Sequence, residues 1–419
     1  MLKLIVIVFS LFSLIACTSS GWQMRAQPEP SAIVAALNTN PNLDFMPTLT
    51  LKGYPSIEMP KTIRPCCAFG NHQKVSIGSL KVPFFRYANT IDISELGAHS
   101  YDAGTLSLQR SEPSDRKRRE VNGMIYTLDG GFLDIAHVRD TADNTVALFY
   151  QIYPLLGQEA KIKIPDELGE RYIHLKAFDV EKHSAIERWH LTAFIAANLA
   201  FTMAEAHEIA QWHGYRSWKS WPETVSAFSP EDLYSNMLGA KITLALLVNN
   251  LAMTEELYDQ HMTSWLYETI VKLKPLTKSQ SNELFDAIDG HWWDSSVPLP
   301  NKFMLLKRDY QLGDVKLPLL VPTSLIDISD ETSSLSTINF VEAKPSPLAL
   351  PAKVYDQDIS EIAEIILTID EPYQKSFSHI PEALWVNGLS SNDFQKTADL
   401  NKTQDAIELK AWQASREIE

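Results

Sequence analysis

The stretch EAHEIAQWHGY at residues 205–215 sets Glu205, His207, Glu208 and His213 at the end of a segment that is otherwise apolar. A histidine followed by glutamate raises the H-E-x-x-H pattern of zinc peptidases, in which two histidines one helical turn apart bind the metal and the glutamate activates water. Gln211 stands where the second histidine is needed, so a conventional metallopeptidase of that type is disfavoured. His213, six residues from His207, lies far around a helical cylinder. The two carboxylates still require a reason. An unpaired buried carboxylate costs roughly several kcal/mol, so Glu205 and Glu208 must reach water, a metal or hydrogen-bond donors, either as a site or as internal struts.

A second constellation is GGFLDIAHVRDTAD, residues 130–143. The glycine pair permits a tight turn, Asp134 falls where a strand gives way to a helix, and His137, Asp140 and Asn144 then share one helical stripe. An acid three residues from a histidine can orient the ring, tune its proton affinity or join it in holding a cation. The alternative is a solvated face with an Arg139–Asp143 pair. If the two constellations meet, His137, Asp140, His207 and Glu208 make a mixed nitrogen and oxygen set suited to zinc or manganese. Glu208 or Glu205 would then serve as general acid or base, with His137 and Asp140 as partners. Carboxylate chemistry on glycans without a metal is a near neighbour. The loop from Gly214 to Asn236 adds Trp218 and Trp221 beside Arg216 and Lys219, aromatics that either stack on a ligand or cover a helix end. No G-x-S-x-G elbow, Walker loop or dinucleotide fingerprint is present.

The elements that must position these groups are legible in the pattern. Ser184 and Glu187 form a capping box opening a run free of proline and glycine up to Gly214, which predicts one helix of nearly thirty residues. Its apolar residues point in every direction, so it reads as a buried rod. Strand-like stretches lie at 74–86 and 123–135, a helix follows to Gly157, and a strand pair surrounds the turn at 166–170. Ser229, Pro230 and Asp232 mark another helix start, with one or two helices from 240 to 274. Beyond 318, prolines punctuate a Ser/Thr-rich passage in which only 358–370 has helical spacing. The fold class is α+β: a mainly helical core around a long buried helix, with short strands and hairpins.

Residues 1–17 have the layout of a secretory signal, with one early lysine, an apolar run and a small residue before Cys17. The ending Leu-Ile-Ala-Cys resembles the lipobox of bacterial lipoproteins, which implies lipidation of Cys17 and, with Thr18 following, the outer membrane. A polar tether covers 18–60, a main domain 61–320 and a peripheral extension 321–419. The net charge of −15 argues against nucleic acid or anionic lipid as a partner. Cys66 and Cys67 are adjacent, so after Cys17 no long-range disulfide framework exists.

Three stretches, NGMIYTLDGGFLDIAHVRDTAD, EAHEIAQWHGY and SAFSPEDLYSNMLGA, together resemble a family of bacterial lipoproteins known as a domain of unknown function, over about residues 60–310. The resemblance implies a shared main domain and no activity. Composition and motifs together predict an envelope lipoprotein that hydrolyses a wall polymer or peptide, or else a noncatalytic lipoprotein that binds cell-wall glycan, peptide or a partner.

Overall fold

A capping box starts the long helix as the sequence predicts: the Glu187 amide donates to Ser184 Oγ at 3.3 Å and the Ser184 amide to Glu187 Oε2 at 2.7 Å. The computed structural model describes residues 27–38, 43, 57–65, 69–70, 73–77, 80–85, 89–108, 120–217, 222–327 and 332–416. The signal segment with Cys17, Cys66, Cys67, Trp218, Lys219 and Trp221 fall outside them.

The principal helices are α1 (Pro30–Leu37), α2 (Ile135–Ile152), α3 (Ala185–Trp212), α4 (Asp232–Val248), α5 (Glu255–Lys272), α6 (Lys278–Ala287) and α7 (Phe394–Arg416). α3 buries Trp189, Leu191, Phe194, Ile195, Leu199, Phe201 and Ile209 on several sides, and α2, α3 and α4 pack pairwise into one core. Every residue of α4 is buried, which makes it the innermost helix. Its start differs from the expectation: Ser229 gives its hydroxyl proton to Glu231 Oε2 at 2.7 Å instead of capping the helix, and Glu231 occupies the cap position.

The crossing of α2 and α4 depends on one residue. A Cβ added to Gly239 would sit 2.0 Å from the Val138 carbonyl oxygen, so the two backbones touch at a distance that only hydrogen permits. Two residues on, the buried Lys241 ammonium donates to the Asn38 and Ala349 carbonyls at 2.7 Å each, tying α1 and a C-terminal strand to α4. Burial pushes its pKa down to about 8.

Strands β1 (Met124–Thr127) and β2 (Gly131–Asp134) form the expected hairpin, with Met124 opposite Asp134 and Thr127 opposite Gly131. Gly131 has φ +69°, the left-handed region that its turn requires. β2 runs directly into α2, whose amide at Ala136 donates to Asp134 at 2.8 Å. A four-stranded antiparallel sheet holds β3 (Ala160–Ile164), β4 (Arg171–Leu175), β5 (Ala363–Leu367) and β6 (Leu389–Ser390) in the order β6-β5-β4-β3. The α+β class is therefore the observed one.

Residues 358–370 depart from their helical reading. Only Ile359–Ile362 is helical; Ala363, Ile365 and Leu367 then alternate as buried strand residues paired with β4. Pairing with an existing strand overrides a helical period carried by so few residues. The 321–419 stretch, expected at the periphery, thus supplies an inner strand of the main sheet, and α7 packs against α3.

Replacing Gly239 by alanine forces α2 and α4 apart. The expected outcome is a loss of about 1–3 kcal/mol, towards the upper end because backbone and not a flexible side chain must give way. Urea denaturation of Gly239→Ala measures it, and an unchanged midpoint would show that the two backbones are not in contact.

Candidate functional site

Three helix ends meet at one point. His137 lies in the first turn of α2, Asp232 opens α4, and Glu208 lies in the last turn but one of α3. His137 Nε2 is 3.1 Å from Asp232 Oδ1 and 4.0 Å from Asp134 Oδ2. Both aspartates sit at helix starts, where the exposed amides and the dipole favour negative charge. Glu208 is fully buried; the Phe228 amide donates to its Oε2 at 2.5 Å, while Oε1 has no hydrogen-bond partner among the described residues. Burial and then the Asp232 charge push the Glu208 pKa up to about 8, against the pull of His207, His137 and the Phe228 amide. Glu231 is similar: burial and the adjacent Asp232 raise it well above the carboxylate range, and its Oε1 also has no partner among the described residues. Among the described residues no lysine or arginine pairs with Glu208, Glu231 or Asp232.

A cavity of about 550 Å³ opens over His137. Ile63, Pro65, Leu106, Leu108 and Met203 give it an apolar wall, and His137, Asp140, Asn144, Asn236, His207 and Glu167 supply the polar one. A second cavity of about 820 Å³ shares Pro60, Leu108 and Pro165 with the first and reaches Lys61, Gln151 and Lys163.

The expected site residues divide. His137 meets Asp232 at 3.1 Å, and Glu208 lies near enough for the charges of both to act on its carboxyl. Asp140 and His207 reach the same cavity, but each is held by a partner of its own. Asp140 takes Arg64 Nη1 at 2.7 Å and the Arg64 amide at 3.1 Å, and burial raises its pKa to about 6 despite that arginine. His207 Nδ1 lies 2.7 Å from Glu167, which also pairs with Arg171 at 2.7 Å. Burial opposes a charge on His207, yet Glu167 outweighs it and the pKa is raised. Glu205 is elsewhere: its Oε1 accepts from the Gly313 amide at 2.6 Å, and burial pushes it up to about 7. His213 stacks on Phe377 with ring centres 3.6 Å apart, and burial drives its pKa down to about 3.

Other residues of the site gave weaker signals. Asp134 is one helical turn from His137 on the same face, the same spacing that drew attention to Asp140. Asp232 reads as an ordinary helix-start acid, and Arg64 carries no motif at all. Arg64 nonetheless organises one cavity wall: it pairs with Glu120 at 2.6 Å, Asp140 at 2.7 Å and Asp143 at 2.9 Å. His99 reaches Asp143 at 3.0 Å and Glu120 at 3.2 Å, and Tyr258 donates its hydroxyl to Asp143 at 2.8 Å.

Residues 54–322, well over half of the chain, match the family described as protein of unknown function (DUF4056). The chain belongs to that family. The DUF4056 segment carries every residue of the site from Arg64 to Asp232, whereas β5, β6 and α7 lie beyond it. No curated protein and no solved structure matches the chain. Among the described residues of this DUF4056 protein, no helix is long and apolar enough to cross a membrane.

The wall network has a signed pH dependence. Burial opposes a charge on His99, but Asp143 and Glu120 outweigh it and raise its pKa; its stabilisation is complete below about 6.5 and is lost as pH rises through the raised value. Burial likewise opposes charge on Glu120 and Asp143, but His99 and Arg64 hold both below the carboxylate range. Their stabilisation is complete above about 4.5 and lost as pH falls through the lowered values. The stability gap between wild type and His99→Gln is therefore expected to be wide near pH 6 and to shrink at alkaline pH. Denaturation curves across that range check it, and a gap that widens with pH would exclude a charged His99.

Proposed function

We propose that this DUF4056 protein is a hydrolase of the bacterial cell envelope, tethered by a lipid on Cys17 and acting on an envelope polymer or peptide held in the cavity beside His137. The observation that carries this reading is the meeting of His137, Asp232 and Glu208, where a histidine that borders the cavity is backed by buried carboxylates. Buried acids whose proton affinity is strongly shifted by burial together with a specific charged neighbour are characteristic of sites that move protons. In the proposed reaction Glu208 takes a proton from water as its oxygen bonds to the substrate's electrophilic carbon. The same proton then passes to the departing nitrogen or oxygen as the old bond breaks. His137 orients the water or the substrate at the cavity surface.

The adjoining second cavity supports a chain-like substrate, since the two share Pro60, Leu108 and Pro165 and differ in lining. The first offers apolar contact. The second offers Lys61, Lys163, Glu58 and Asp166, which suit polar or zwitterionic repeats. The signal layout and lipobox of residues 1–17 support the envelope and the outer membrane, and the charge of −15 disfavours nucleic acid.

The test is turnover of purified bacterial cell-wall sacculi and their peptide fragments by the full chain in detergent, with products identified by mass spectrometry. Glu208→Gln and His137→Ala are expected to lower turnover by about 10²–10⁴-fold, the usual range for loss of an acid–base group. Binding to sacculi without any cleavage would replace this reading by that of a noncatalytic wall-binding lipoprotein.

A further inference from the structure

We propose that Asp134, His137 and Asp232 bind one divalent transition-metal ion, zinc or manganese, with Glu208 beside the coordination position that faces the cavity. This set differs from the one expected from sequence, because Asp140 and His207 are committed to Arg64 and Glu167. The inference rests on the cavity as the working site, and not on hydrolysis.

The geometry comes first. One ligand atom from each of the three residues lies within 4.8 Å of the others, and His137 Nε2 is 3.1 Å from Asp232 and 4.0 Å from Asp134. Metal–ligand bonds of about 2.0–2.2 Å place neighbouring ligand atoms about 3–3.5 Å apart, so a small closure of the two carboxylates completes the site. The ligands are also held before any ion arrives. Asp134 Oδ1 is fixed by the Ala136 amide at 2.8 Å, and the Gly239 contact fixes the register of α4 against α2.

An independent observation comes from two neighbours that are not ligands. Glu208 and Glu231 are at most 2% exposed, and each keeps one oxygen without a hydrogen-bond partner among the described residues. A buried, unsatisfied carboxylate oxygen is costly, and here there are two, one of them on the residue next to Asp232, with no lysine or arginine paired to either among the described residues. A divalent cation between Asp134, His137 and Asp232 supplies the missing positive charge. Mixed nitrogen and oxygen donors suit zinc and manganese, and three protein ligands leave a position for water, the arrangement of catalytic sites and not of closed structural ones. His137 borders the cavity, so that position is the one a substrate can reach.

The experiment measures metal binding directly. The full chain in detergent is stripped with chelator and dialysed. It is then loaded with zinc or manganese chloride, and bound metal is counted by elemental analysis alongside calorimetric titration and thermal unfolding. The expected result is one ion per chain, a raised unfolding temperature, and affinity at least tenfold weaker in His137→Gln and Asp232→Asn but unchanged in Asp166→Asn. If Asp232→Asn does not fold, His137→Gln decides, since its side chain is already 12% exposed at the cavity surface. Failure of wild type to retain either ion, or equal retention by His137→Gln, overturns the site. Metal binding without cleavage of sacculi would sustain it and overturn the hydrolase, whereas cleavage by a chain that retains neither metal would do the reverse.

Discussion

Where α4 crosses α2, the space between the Gly239 Cα and the Val138 carbonyl oxygen admits a hydrogen atom and nothing larger. Backbone contact of this kind sets both the separation and the register of two helices, because neither can rotate without a side chain entering the gap. Val138 follows His137 in sequence, and Gly239 lies two turns from Asp232. The contact therefore carries the first turn of α2 to the first turn of α4 and sets the 3.1 Å approach of His137 to Asp232. α3 fills the remaining side and brings Glu208 to the same point.

Two groups of buried charge reach the cavity, one through Arg64 and Asp140 and the other through His137, and they behave differently. Around Arg64 donors and acceptors nearly match: three carboxylates meet one guanidinium, and His99 and the Tyr258 hydroxyl add donors to two of them, Asp143 and Glu120. Such a set is rigid, and removing one partner from a buried pair costs about 3–5 kcal/mol because the other is orphaned. Around Asp232 the carboxylates among the described residues outnumber the cationic groups there, and Glu208 and Glu231 each retain an oxygen with no donor among them. The first arrangement shapes a wall. The second leaves an electrostatic demand that protons or a bound cation must meet, and the demand is placed where the cavity opens.

Local features were readable from the sequence and long-range ones were not. The capping box at Ser184 and the absence of proline and glycine fixed α3 almost to the residue, and the glycine pair at 130–131 announced the hairpin that delivers Asp134 and His137. Glu208 stood out because an acid on an apolar rod requires a reason. Asp232 did not, since an acid at a helix start already has one in the helix dipole. Arg64 meets its carboxylates across 56 to 79 residues, a separation that no local pattern records. Strand β5 was read as helix because the deciding contact, its pairing with β4, is likewise remote.

That pairing also orders events in time. β4 ends at Leu175 and β5 begins at Ala363, so nearly half of the chain separates an inner strand from the neighbour it must join. A chain made from its N-terminus leaves β4 as an open edge through the emergence of α3 to α6. A half-emerged chain therefore presents unpaired backbone that other strands can adopt. Completion of the sheet becomes a late step governed by roughly the last sixty residues, so a truncation there exposes an inner strand as well as shortening the chain.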